Sequence, residues 1–184
     1  MIKVLLTGSD GFIGKNIYKK YTSFIVSCIE KDWMGELIKE IESCDVILHI
    51  GAISDTMLQD NNEMMKYNYE FSRVLFDLSE EHDKQVIYSS SGANTGESGL
   101  PSNSYGWSKY VTEQYGMSKV TNFVALRYMN VYGPGQDQHS VYSGVVPIML
   151  NKIEAGEQPI INGDGSQAYD FIYVEDVLNQ ILQL

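Results

Sequence analysis

Thr7-Gly8-Ser9-Asp10-Gly11-Phe12-Ile13-Gly14 constrains this chain more than any other stretch. It follows an apolar run, Ile2 to Leu6, that reads as a short buried strand, and precedes a helix-like segment, Asn16 to Tyr21. Strand, glycine-rich turn and helix start together make an anion cradle. Gly8 permits the tight turn, Gly11 lets the backbone approach a pyrophosphate, and Gly14 lets the helix pack closely on the strand. The helix N-terminus then offers free N–H groups and the positive end of its dipole. The glycines are spaced GxxGxxG rather than the more usual GxGxxG. The same residues therefore also fit an ordinary tight strand-to-helix turn.

A chain of 184 residues suits a single domain with a sizeable core, taken here as 1–184, with the core about 1–130 and further elements about 131–184. With 13 basic against 24 acidic residues the net charge is −11, which argues against nucleic acid or an anionic membrane as partner. An acidic protein that binds anionic nucleotides has to do so locally, through backbone N–H groups and a few cations. No apolar run reaches the ~18–20 residues of a membrane span, and the N-terminus reads as a strand rather than a secretion signal. Cys28 and Cys44 lie in or beside apolar segments without metal-type spacing. They read as small core residues, no metal site is expected, and a reducing cytoplasm fits.

Along the chain, strands alternate with helices. Phe24 to Ile29 reads as a strand ending in Glu30, Lys31 and Asp32, Met34 to Ile41 as a helix, and Asp45 to Ile50 as a buried strand ending at Gly51-Ala52. Met64 to Leu78 has helical spacing, and Gln85 to Tyr88 is a strand running into Ser89-Ser90-Ser91. A polar loop, Gly92 to Ser104, leads to a helix from Tyr105 to Met117, and Phe123 to Tyr128 is the next strand. The alternation predicts an α/β fold with a doubly wound parallel sheet covered by helices on both faces. Ligands in such folds sit at the C-terminal strand ends, which here are Thr7–Gly14, Gly51–Ser54, Ser89–Ala93 and Asn130–Pro134.

Tyr105-Gly-Trp-Ser-Lys109 puts a phenol and an ammonium one helical turn apart on the same face. A nearby cation favours the phenolate, so Lys109 is expected to lower the Tyr105 pKa and make it a base near neutral pH. The pattern recurs as Tyr115-Gly-Met-Ser-Lys119. Ten residues along a helix is ~15 Å away on another face, so both cannot serve one site. Tyr105 opens its helix directly after the loop that descends from the serine run, so it is the one expected near the strand ends. Tyr115 reads as a packing or surface residue. A serine at the adjacent strand end would donate a hydrogen bond to the substrate oxygen that Tyr105 deprotonates; the competing reading of Ser89-Ser90-Ser91 is a turn that bonds its own backbone.

Taken in order, these motifs resemble the extended short-chain dehydrogenase/reductase family, and within it the nucleotide-sugar epimerases. TGSDGFIG is similar to the family's TGxxGFIG, DVILHIGA (Asp45–Ala52) to DxVxHLAA, and Asn68 in MMKYNYEFS to its helix asparagine. YSSSGA resembles SSSA, YGWSKYVTE resembles YGxSKxxxE, LRYMNVYGP (Leu126–Pro134) resembles LRYxNVYGP, and GDGSQAYDFIYVEDV (Gly163–Val177) resembles GDGxQxRDFxYVxDV. The resemblance implies a Rossmann-like fold and a catalytic triad of Ser91, Tyr105 and Lys109. It implies NAD, with NADP as the alternative, bound by Gly8, Gly11, Phe12, Ile13, Gly14 and Ala52, with Tyr105 and Lys109 also on the cofactor. It puts Asn130, with Ser91, on the nucleotide-sugar substrate. Gly92-Ala93, where dehydratases of the family carry Asp-Glu, disfavours dehydration. GPGQDQHSVYSGVVP resembles GPxQDPxSxYSGVI of epimerases acting on UDP-hexoses. GAISDT is also similar to ADP-heptose 6-epimerases, whose lysine after YGP appears here as His139. The implied activity is therefore a UDP-hexose 4-epimerase.

Four departures qualify the resemblance. Gly14 to Asp45 holds one strand where the family fits two, so the ribose-binding acid is open between Glu30 and Asp32. The Ser91–Tyr105 connection is short, although 13 intervening residues still span up to ~40 Å. The family's phosphate-binding arginine is Tyr169, and relatives are expected to continue beyond Leu184, leaving only a partial C-terminal substrate-binding region. Apolar surface on Val145–Leu150 or Val177–Leu184 would then invite self-association, as in a homodimer, or a partner. The competing functions are a keto-sugar reductase using the same residues and a non-catalytic dinucleotide-binding module that needs another chain.

Overall fold

The computed structural model describes residues 2–29, 37–56, 58, 60–96, 99–137 and 144–184. Two compact units divide it, 1–128 and 129–184. The first is built on a five-stranded, wholly parallel sheet. Its strands are β1 (Val4–Thr7), β2 (Ile25–Ile29), β3 (Val46–His49), β4 (Gln85–Ser91) and β5 (Phe123–Tyr128), in the order β2-β1-β3-β4-β5.

The connections are α1 (Phe12–Tyr21), α2 (Leu37–Ser43), α3 (Asn61–Met65) running through a π-helical turn (Lys66–Glu70) into α4 (Phe71–Glu81), and α5 (Ser104–Lys119). The chain leaves β1 towards β2 and then travels the other way, from β2 across to β5. Right-handed crossovers therefore put α1 on one face and α2, α4 and α5 on the other. This is the doubly wound Rossmann-like arrangement expected, with one strand fewer on the β2 side. Its strand order is that of the flavodoxin-like class, whose switch point lies between β1 and β3.

Strand alternation explains the core. Leu5, Ile47, Val86 and Tyr88 point to one face, where they pack with Leu37 and Ile41 of α2, Leu75 and Phe76 of α4, and Val120. Leu6, Leu48 and Ile87, the neighbours in register, point to the other face and are equally buried. A sheet that must bury both faces needs continuous apolar strands, which is how β1, β3 and β4 read in the sequence.

Two boundaries differ from the sequence reading in ways that matter. Helix α1 begins at Phe12, so Gly11 is its N-cap and the glycine turn itself feeds the helix. The strand β4 continues through Ser91, so the serine run is sheet, paired with Leu126–Tyr128 of β5, rather than a turn. Glu30 and Asp32 lie outside the described residues, as does His139.

In the second unit, β6 (Val131–Tyr132) pairs in parallel with β7 (Ile172–Tyr173), alongside α6 (Val145–Glu154) and α7 (Val174–Ile181). One stripe of α7, Val174, Val177, Leu178 and Ile181, is buried, as the i, i+3, i+4, i+7 spacing requires. Among the described residues no helix is long and apolar enough to cross a membrane.

Candidate active site

The switch point brings the loops after β1 and β3 together. Gly8 has φ +74°, and a Cβ there would lie 2.5 Å from the Gly51 Cα. A Cβ on Gly14 would collide with the Gly8 carbonyl. Both positions thus accept only glycine, one for its backbone conformation and the closeness of the next loop, the other for the closeness of its own turn. Gly11 N–H donates to the Gly8 carbonyl at 3.1 Å. The N-cap residue Gly11 brings no side-chain cap, and the first turn of α1 carries no acidic residue. A tight glycine turn feeding a helix N-terminus suits a pyrophosphate, so the residues present fit a dinucleotide. Phe12 and Ile13 form the first turn of α1 and are half-buried, while Ala52 is exposed just beyond β3.

Asn68 joins this cradle to α5. Its Oδ1 accepts from Ile53 N–H at 2.7 Å, and its Nδ2 donates to the Ile53 carbonyl and to Ser108 Oγ, each at 2.9 Å. Ser108 Oγ in turn donates to the Tyr105 carbonyl at 2.7 Å. Asn68 sits within the π-helical turn, where Phe71 N–H reaches back to the Lys66 carbonyl. That widening leaves the Asn68 carbonyl to the hydroxyls of Ser72 (2.7 Å) and Thr112 (3.1 Å). Single-turn π insertions of this kind recur at functional sites.

The buried imidazole of His49 continues the linkage. Thr7 Oγ1 accepts from Gly51 N–H at 3.1 Å and lies 2.7 Å from His49 Nδ1. Ser72 Oγ lies 2.7 Å from His49 Nε2 and already donates to Asn68. The consistent assignment is a neutral ring that accepts at Nδ1 and donates from Nε2. Burial, and then the charge of Lys109, hold its pKa down to about 3.

At the end of β4, Ser91 Oγ accepts from Ala93 N–H at 3.1 Å and caps a 3₁₀ turn over Gly92–Asn94. Asn103 caps α5, accepting from Gly106 N–H at 2.8 Å, so Tyr105 and Lys109 lie in its first two turns. Tyr105 meets the Ser91 hydroxyl, and Lys109 follows one turn later with its ammonium over the Tyr88 ring. The expected order of their pKa values is not what the fold produces. Burial pushes the Tyr105 phenol above its ordinary value, and only the Ser91 hydroxyl draws it back. Burial also brings Lys109 down to about 7, with Glu113 opposing that fall. Desolvation disfavours both charges, and the lowering of Tyr105 by Lys109 expected from the spacing is absent.

Glu113, one turn beyond Lys109, is a hub that the sequence reading missed. Its carboxylate accepts from Ser90 Oγ (2.5 Å), Asn94 Nδ2 (2.8 Å) and the Arg127 guanidinium (2.6 Å from Nη2). These bonds, Arg127 foremost among the charges, hold it below the usual carboxylate range against the effect of burial. The only signal for it was its place in YGWSKYVTE. His49 and Ser72 were likewise legible only as strand and helix residues.

The second Tyr/Lys pair has a different use. Tyr115 Oη donates to Asp77 Oδ1 at 2.6 Å, and Lys119 lies 3.6 Å from the same carboxylate, tying α5 to α4 on the surface. Asn130 belongs to the second unit. It has φ +32°, and its Nδ2 donates to the Asp170 carbonyl at 2.9 Å. Tyr169 is exposed beside Phe171.

The family model of the NAD dependent epimerase/dehydratase family matches residues 4–184. Among curated proteins, the chain is 28% identical to an ADP-L-glycero-D-manno-heptose-6-epimerase of Cupriavidus pinatubonensis over 95% of its own length and 66% of that protein. It is also 28% identical to the enzyme of that name from Brachyspira hyodysenteriae, over 96% and 70%. The chain thus spans about two thirds of these relatives. The first alignment runs over 220 residues against a chain of 184, so the relative carries extra residues inside the matched region. Among solved structures, a UDP-N-acetylglucosamine 4-epimerase from Methanobrevibacter ruminantium superposes with a TM-score of 0.87 at 29% identity, covering 97% of this chain and 71% of that one. A UDP-glucose 4-epimerase from Thermotoga maritima gives 0.82 at 25% identity, covering 98% and 72%.

Proposed function

Because the chain belongs to the NAD-dependent epimerase/dehydratase family, we propose that it is a nucleotide-sugar epimerase, acting at C4 of a UDP-hexose. The observation that carries the reading is the hydrogen bond between Tyr105 and Ser91 at the end of β4, with Lys109 one turn further along α5, in one sheet with the glycine cradle after β1. Bound NAD supplies a hydride acceptor that later returns the hydride. Gly8, Gly11 and Gly14 admit its pyrophosphate, Lys109 holds its ribose, and Glu30 or Asp32 binds the adenosine side. Tyr105 takes the proton of the sugar hydroxyl and gives it back after the keto sugar has turned, while Ser91 holds the same oxygen. Burial around Tyr105 and Lys109 excludes water from that exchange. The family resemblance gives Asn130 to the substrate, and Tyr169, where the family has an arginine, brings a hydrogen bond but no charge, which should weaken nucleotide-sugar affinity.

The similarity to solved UDP-sugar 4-epimerases supports the hexose assignment. The curated relatives support a second reading, epimerisation at C6 of an ADP-heptose. The test incubates the chain and NAD with UDP-glucose, UDP-N-acetylglucosamine and ADP-heptose, and follows interconversion by NMR. Tyr105→Phe is expected to lower turnover about 10²–10⁴-fold, the usual worth of a general base, with NADH affinity retained. A variant that turns over as fast as the native chain overturns the assignment of Tyr105. Net change in absorbance at 340 nm with turnover would identify a reductase instead.

A further inference from the structure

Lys109 is 3% exposed, and among the described residues its ammonium forms no salt bridge. Glu113, the nearest acid along α5, spends its carboxylate on Ser90, Asn94 and Arg127. What lies against the ammonium is an aromatic face: Nζ stands over the Tyr88 ring, 4.4 Å from its centroid. The ring is held in place by its own neighbours, with Phe76, His49 and Phe123 at centroid distances of 5.7, 5.5 and 6.1 Å. Its hydroxyl is buried with no hydrogen-bond partner among the described residues. Thr112 is the polar side chain beside that hydroxyl, and it donates instead to the Ser108 carbonyl at 2.7 Å, so the contact that Tyr88 offers Lys109 is its ring.

We propose that Tyr88 is a positioning residue, a π platform that seats the Lys109 ammonium in the buried site while engaging none of its N–H donors in a conventional hydrogen bond. A carboxylate partner would hold the charge more strongly but would occupy those donors. The face of an aromatic ring attracts a desolvated cation and leaves them for a ribose hydroxyl. This deepens the proposed function, since it rests on Lys109 serving the cofactor.

The titratable groups around Lys109 are His49 from β3, Tyr88 from β4, and Tyr105 and Glu113 on its own helix. Burial holds His49 neutral, and Glu113 keeps its charge, so Tyr88 is the element to vary. The full-length chain, labelled with ¹³C at lysine Cε, is titrated by NMR from pH 5 to 10, with Lys109→Met assigning the resonance. Tyr88→Phe keeps the ring and should leave the Lys109 midpoint where it is. Tyr88→Leu and Tyr88→Met remove the π face and should lower it by about one pH unit. The Met variant carries the test if the Leu variant does not fold. A midpoint unchanged in both aliphatic variants overturns the proposal, and so does an equal shift in Tyr88→Phe, which would assign the effect to the hydroxyl. NADH affinity, followed by nicotinamide fluorescence over the same range, should track the midpoint. An affinity indifferent to it removes Lys109 from the cofactor site while the Tyr88–Lys109 pairing stands.

Discussion

Lys109 and His49 are both buried bases, and burial disfavours the charged form of each. His49 is neutral with both nitrogens engaged, so an acid pH must charge it inside the core. Its folded pKa of about 3 lies below the ordinary value of 6.5. The unfolded chain therefore binds the extra proton first, and stability falls as pH drops from about 6.5 towards 3. His49→Gln should flatten that part of the curve, read as urea midpoints at pH 7 and 4. Lys109 follows the same rule higher up, with a folded value of about 7 against 10.5. Stability is expected to decline as pH falls from about 10.5 to about 7 and to level off below. Lys109→Met should remove that slope and stabilise the protein by roughly 2–4 kcal/mol at neutral pH, a gain that vanishes near pH 10.5. A variant less stable than the native chain at pH 7 would show that stem packing outweighs desolvation. The second Tyr/Lys motif marks the limit of residue patterns: Tyr115 and Lys119 share Asp77 on the surface, and nothing in their spacing distinguishes them from Tyr105 and Lys109.

At the scale of elements, the site depends on how α5 is fastened to β4 and to the π-helical turn. Glu113 holds the end of β4 through Ser90, the 3₁₀ turn through Asn94 and the sheet edge through Arg127. Arg127 is partly exposed, so its ion pair is worth less than a fully buried one. Ser90 and Asn94 are buried, and removing their acceptor leaves donors unpaired. Glu113→Ala should cost ~2–3 kcal/mol in urea unfolding and lower turnover more than NADH affinity, because the displaced strand end carries Ser91. Equal losses in both would mean that the hub serves the whole domain rather than Ser91. The helices themselves were legible from apolar spacing. The π turn within them was not, since KYNYE has ordinary helical composition and the insertion is set by Asn68 turning inward to Ile53 and Ser108.

For the whole molecule, charge and apolar surface oppose each other. The net charge of −11 keeps copies apart near neutral pH. The second unit meanwhile exposes Ile153, Ile160, Ile161, Tyr169 and Phe171, apolar side chains that association could cover. Sedimentation velocity should show monomers at low salt and pH 7.5. The average mass should rise with salt or as pH approaches the isoelectric point of about 4.6. Constant mass across both series would mean these residues are not adhesive.

The alternation of strand and helix, the parallel sheet and the glycine cradle were determined by the sequence alone. Their causes are local, lying in side-chain period, turn chemistry and backbone freedom within a few residues. The ordered motifs carried the family as well, through residues that must recur at each strand end. Only the tertiary structure decided the rest. Whether Tyr105 is lowered or raised depends on how much solvent the packed site removes. That Glu113 turns to Ser90 and not to Lys109 depends on a bond made across 23 residues of chain. The tautomer of His49 depends on hydroxyls from β1 and α4 that meet only in the folded core. Solvation and long-range pairing are properties of the assembled sheet and helices, so they are read from the fold and not from the spacing of residues along the chain.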